Sequence, residues 1–166
     1  AGVPDGKKES LDAVVKAFNS LKDENAILRI VGVTREQFVK LYPEIKIDGN
    51  VIFEGFVSHA QAVKFILSCD CYIFIRESDR RNNAGFPTKF AESFTAGVPI
   101  ITTDVSDVKE YIEKSGNGAV LSSTDEKEIA EAMLKQIRGG KQDCFLRPDF
   151  DFRSYVYKTA ELLGNE

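Results

Sequence analysis

The chain has 166 residues, 43% of them apolar and 29% charged, which suits one domain. A chain near ~150 residues can bury a sizeable core, roughly 70% of its unfolded surface. The net charge of −4 speaks against a nucleic-acid polymer as partner, no run approaches the ~20 apolar residues of a membrane-spanning helix, and no secretory leader is visible.

The predicted elements alternate between helix-period and strand-like segments. Leu11, Val14, Val15, Phe18 and Leu21 share one face of a helix over 9–22. AILRIVGV (26–33) is a short, β-rich apolar run. Thr34 starts a second helix, TREQFVKLY, closed by Pro43. VIFEG (51–55) reads as the next strand, and Ser58 caps a helix on which Ala62, Phe65, Ile66 and Cys69 share a face. CYIFI (71–75) is a third strand, followed by a polar loop over 77–85. FPTKFAESFTAG (86–97) reads as a helix ended by Gly97, and VPIITT (98–103) as a fourth strand. A helix over 106–116, a short strand over 119–121 and an amphipathic helix over 125–138 follow. A turn-rich stretch (139–151) precedes a last helix near 152–163.

Short apolar strands, each followed by a helix, imply an α/β fold: a parallel sheet covered on both faces. No internal repeat or low-complexity linker divides the chain, so one domain over 1–166 is the expected count. Ligands of such sheets bind at the carboxyl ends of the strands. The connection from Arg76 to Pro87 lies there, and it is longer than the usual ~2–6 residues. It ends in Gly85-Phe86-Pro87-Thr88-Lys89. Gly85 allows close backbone approach, Thr88 can cap the following helix, and a helix N-terminus favours phosphate. Lys89 adds positive charge, and Glu92, one turn on, can accept hydrogen bonds from sugar hydroxyls. The same residues also read as a capped helix with an exposed Lys–Glu pair at i, i+3.

Lys7 and Lys8 precede the first helix and could meet an anion at the same sheet end, or remain solvated. A G-x-G-x-x-G fingerprint and a P-loop lysine motif are both absent, which lowers the case for a dehydrogenase or an NTPase. Cys69, Cys71 and Cys144 form neither a disulfide framework nor a zinc pattern, and Cys69 and Cys71 read as small apolar residues at a helix–strand junction. His59 decorates a helix start, and a lone histidine provides no transition-metal site.

AGFPTKFAESFTAGVPIITT (84–103) resembles the donor-site segment of glycosyltransferase family 4, the group 1 transferases with the GT-B fold. Many polysaccharide-building members read G-F-P-T-K-x-x-E-S there. AILRIVG and VIFEGFVSHAQAVKFILSCDCYIFI resemble two further family stretches, and AGVPDGKKESLDAVVKAF resembles its opening glycine loop, lysine and first helix. The resemblance covers nearly the whole chain. It implies the Rossmann-like C-terminal half of a GT-B enzyme, which binds a nucleotide-diphosphate sugar. A separate N-terminal domain, not in this chain, would bind a saccharide or lipid-linked acceptor.

Carried over by motif, Glu92 would hold the ribose hydroxyls and the amides of Thr88 and Lys89 would face the diphosphate. Gly85 and Phe86 belong to the same donor segment. Lys8, in preference to Lys7, matches the lysine that neutralises the leaving diphosphate, and Phe56 lies where the family's backbone meets the base. Arg76 is a further candidate phosphate ligand, while Arg80 and Arg81 are expected to face solvent. The resemblance implies retention at the anomeric carbon, no essential metal or other cofactor, and a cytoplasmic location, at most at the inner membrane face. This domain alone is expected to bind UDP- or GDP-type ligands weakly and to turn over nothing.

Two positions depart from the pattern. The family's first glutamate falls on Ala84, and the arginine after its first glycine falls on Val3. These departures keep open a degenerate, non-catalytic binding module. A nucleotide-sugar epimerase of similar architecture is the other alternative, disfavoured by the single, poorly placed histidine.

Overall fold

The computed structural model describes residues 9–21, 25–140 and 148–155. Lys7, Lys8, Val3 and Cys144 lie outside the described residues. Five strands and seven helices appear in the described chain, in the order α1 (Leu11–Asn19), β1 (Leu28–Val31), α2 (Arg35–Leu41), β2 (Val51–Gly55), α3 (His59–Ser68) and β3 (Tyr72–Phe74). They continue as α4 (Arg80–Asn83), α5 (Thr88–Thr95), β4 (Ile100–Thr103), α6 (Val108–Ser115), β5 (Gly118–Leu121) and α7 (Glu126–Gly139).

Local chemistry sets several of these boundaries. Thr34 and Ser58 each accept a hydrogen bond from the amide three residues on, and the side chains of Gln37 and Gln61 return to the cap amides. Helix α2 stops at Leu41, ahead of Pro43, as expected from its sequence. Beyond α5 the Gly97 amide bonds back to the carbonyl of Phe94 at 2.9 Å, which closes the helix there.

All strand pairs are parallel, as the alternating pattern implies. Hydrogen bonds group the strands as β1–β2 and β3–β4–β5 rather than as one continuous ladder. Successive strand residues point to opposite faces, so the larger sheet feeds two cores. Ile75, Ile101 and Leu121 pack with α1 and α7, and this core also takes Ile30 and Val51 of the smaller sheet. Phe74 and Ile100 face the other way, against Phe90 and Phe94 of α5 and Val108 and Ile112 of α6. The expected two-sided cover is therefore present.

Two expectations need correction. The segment 77–85 is not wholly a loop, because the Asp79 side chain caps the amide of Asn82 at 2.7 Å and starts the one-turn helix α4. The end of the chain does not open as an α-helix. Pro148–Phe150 and Phe152–Tyr155 are 3-10 turns, and the rest of the expected last helix lies outside the described residues. No helix among the described residues is long and apolar enough to cross a membrane.

Cys69 and Cys71 sit between α3 and β3, partly buried and not joined by a disulfide. Burial, with Cys69 and Asp70 adding to it, pushes the Cys71 thiol up to about 12. Only the thiolate is nucleophilic, so iodoacetamide at about pH 8 should leave Cys71 unmodified in the folded protein and label it after denaturation. Peptide mass spectrometry reads the outcome, and rapid labelling of Cys71 in the folded chain would contradict this burial.

Candidate donor-binding site

Within each sheet the strands are parallel, so the carboxyl ends of β1 and β2 share one edge and those of β3, β4 and β5 another. Phe56 follows β2, Arg76 follows β3, and α5 begins where the long connection after β3 returns to the sheet. These elements carry the residues singled out from the sequence.

The start of α5 differs in detail from expectation. Thr88 is not the cap: it is the first helical residue, and Pro87 occupies the N-cap position without a side-chain bond. Proline suits this place because it lacks an N–H that would need a partner. Its carbonyl accepts from the amides of Phe90 and Ala91 at 3.0 and 3.2 Å. The amides of Thr88 and Lys89 precede that closure and have no acceptor within the helix. They lie at the positive end of the helix dipole, with Thr88 exposed and Lys89 half-buried.

Lys89 and Glu92 form an ion pair, with Nζ 2.6 Å from Oε2. Their side chains retain 22% and 29% exposure, so the pair is partly buried rather than the freely solvated pair of the alternative reading. Glu92 is also the charged residue in the wall of a cavity of about 380 Å³ between α3 and α5, otherwise lined by residues such as Val63, Ile66, Leu67, Ala91 and Thr95. The Ser93 hydroxyl donates to the carbonyl of Lys89 at 2.8 Å and ties this turn together.

Arg76 reaches the same region from the sheet. Its side chain is 12% exposed, donates through Nη2 to Glu9 Oε1 at 3.0 Å, and lies with Cζ 5.4 Å from the centre of the Phe74 ring. Its backbone is gripped by Thr103, whose hydroxyl accepts from the Arg76 amide at 3.0 Å and donates to the Arg76 carbonyl at 2.6 Å. Arg76 Nε is buried without a hydrogen-bond partner among the described residues, as is Asn82 Oδ1. Tyr72 registers this concentration of charge. Burial pushes its phenol upward, Glu9 and Glu92 push the same way, and Arg76 opposes them. Tyr72, Glu9, Arg76 and Glu92 thus occupy one electrostatic neighbourhood.

The other candidates are more dispersed. Phe56 is 62% exposed at the end of β2, on the smaller sheet. Gly85 faces open space, with nothing within 4 Å of the point where a Cβ would stand. The Phe86 ring packs against Phe90, Tyr111 and Phe150 at centroid distances of 5.5, 5.7 and 5.3 Å and keeps 37% exposure. Arg80 and Arg81 are exposed, as expected. Glu9, Thr103 and Asn82 escaped sequence reasoning, since their partners lie far off or in an ordinary polar run.

Parallel strands between helical layers, with α5 and its Lys–Glu pair entered from the long connection after β3, define an α/β domain. The sequence model of the family Glycosyl transferases group 1 matches residues 6–144. The chain belongs to this family, and its role is glycosyl transfer. No curated protein is a significant match to the chain.

Proposed function

We propose that this chain is the donor-binding domain of a retaining glycosyltransferase, taking a nucleotide-diphosphate sugar, UDP- or GDP-linked, for hexosyl transfer in surface or capsular polysaccharide synthesis. The observation that carries the reading is the Lys89–Glu92 pair beside the open amides of Thr88 and Lys89 at the start of α5. The amides and Lys89 receive the diphosphate. Glu92 exchanges part of its bond with Lys89 for the ribose hydroxyls, and Phe56 meets the base. Arg76 supplies further positive charge, and Lys8 would neutralise the leaving phosphate.

In this reading catalysis is positioning plus stabilisation of charge on the departing diphosphate, work that lysine and helix amides can do without a metal. The acceptor and its base come from a second, N-terminal domain, so this chain alone binds donor and transfers nothing. Family membership favours this transferase over the epimerase alternative. A second reading, a non-catalytic binding module, rests on Ala84 and Val3 at the two departing positions. Transfer activity in a protein carrying both domains separates the two.

Titration calorimetry with UDP tests the site itself. Hydrogen bonds to a charged group contribute roughly 1.5–3 kcal/mol, so Glu92→Ala should weaken UDP about tenfold to a hundredfold. Equal affinities of the two proteins, or no binding by either at millimolar UDP or GDP, would remove the ribose assignment.

A further inference from the structure

The approach to α5 is held from a distance by a residue that no motif marks. Asn83 ends α4, and its Oδ1 accepts from the amide of Ser106 at 2.8 Å while Nδ2 donates to Ser78 Oγ at 3.3 Å. Ser106 lies in the loop between β4 and α6. It has φ of 53°, and among the described residues it is the one non-glycine residue with positive φ. A left-handed serine is unfavourable by itself and persists only where its surroundings hold it. The Asn83 bond is such a hold. Asn82, next to it, is buried at 4% exposure and donates Nδ2 to the carbonyl of Glu77 at 2.8 Å.

Three residues after Asn83 stands Phe86, whose ring is pinned against Tyr111 of α6. Ala84 and Gly85 are therefore suspended between two anchors, and both anchors fasten to α6 or the loop that enters it. Pro87 and the open amides of Thr88 and Lys89 follow directly. Asn83 and Phe86 thus fix the two ends of the short run that leads into α5.

We propose that Asn83 is a positioning residue for the donor site: through Ser106 it locks the loop between β4 and α6 to the connection leading into α5, so that the diphosphate-binding amides are preset before ligand arrives. This rests on the donor site proposed above. Preset binding groups depend on such supporting contacts, and a shift of an ångström is enough to lose much of their effect.

The test is UDP titration of the wild type, Glu92→Ala, Asn83→Ala, Asn83→Asp and the double variant Asn83→Ala/Ser106→Gly. Stoichiometry reports the folded fraction and Kd reports the site, so a merely structural role would change the first and not the second. Asn83→Ala should weaken UDP about tenfold. Asn83→Asp keeps the acceptor for the Ser106 amide and should restore affinity to within about twofold. Glycine adopts positive φ without help but does not restore the tie to residue 83, so Ser106→Gly should recover little of the loss in the Asn83→Ala background. Unchanged affinity in Asn83→Ala, with Glu92→Ala weakened, overturns the positioning role alone. Loss in Asn83→Ala that Asn83→Asp does not recover, or that Ser106→Gly recovers fully without the bond, also overturns it. A wild type that binds neither UDP nor, in a parallel titration, GDP, or that binds like Glu92→Ala, overturns the donor site and this inference with it.

Discussion

Gly118→Ala is expected to destabilise the domain by about 4–5 kcal/mol, the exceptional end of single substitutions. Gly118 opens β5 with φ of 143° and pairs in register with Ile100 of β4. A Cβ added there would stand 2.0 Å from the carbonyl oxygen of Ile100. That neighbour is backbone in the middle strand of the larger sheet, so relief requires β4 and β5 to separate. A stability of ~5–15 kcal/mol is usual for a domain, so the variant should be largely unfolded or marginal. Gly116 provides the control. It has φ of 65°, but nothing lies within 4 Å of its Cβ position, so Gly116→Ala should lose only about 1–2 kcal/mol of conformational energy. Urea denaturation of both variants decides the matter. Equal losses would mean that the close approach of the strands adds nothing to the conformational strain.

Phe90→Ala is expected to lose about 3–5 kcal/mol, with a fall in Tm of about 10 °C. The Phe90 ring is fully buried. It stacks on Phe94 at 5.4 Å and meets Phe86, Tyr111, Phe150 and Phe74 edge-on, at centroid distances from 5.5 to 6.3 Å. Truncation leaves a cavity among rings that cannot all move inward, and it removes pair interactions of ~0.5–1.5 kcal/mol each beyond area burial. The consequence reaches the site, because Phe90 follows Lys89 in the first turn of α5. UDP affinity should therefore fall in the folded fraction as well. Phe90→Leu, which fills most of the space, should recover the greater part of both losses. A Phe90→Ala variant within about 1 kcal/mol of the wild type would show that this cluster does not hold α5.

Much of the fold was legible in the sequence because its signals are local. Periodicity located the strands and all the longer helices of the described chain, and Thr34 with Gln37 and Ser58 with Gln61 are capping boxes three residues apart. The Lys89–Glu92 pair was legible for the same reason, as neighbours on one helical turn. The one-turn helix α4 was not, since its single capping contact in a polar run looks like any loop. Proline at the N-cap of α5 was missed because threonine next to it is the commoner cap.

The candidate site divides in the same way. Periodicity and composition determined a parallel α/β domain, and the order of motifs, with the G-F-P-T-K-x-x-E-S run, pointed to the family. Only the tertiary structure decided that Arg76 is paired with Glu9, 67 positions away in the chain, that Thr103 grips its backbone, and that Asn83 holds Ser106. It alone placed Tyr111 and Phe150 around Phe90. Backbone hydrogen bonds and helical faces repeat at fixed short spacings, so a sequence displays them. Contacts between distant segments depend on how strands register and helices pack, and no spacing in the chain encodes them.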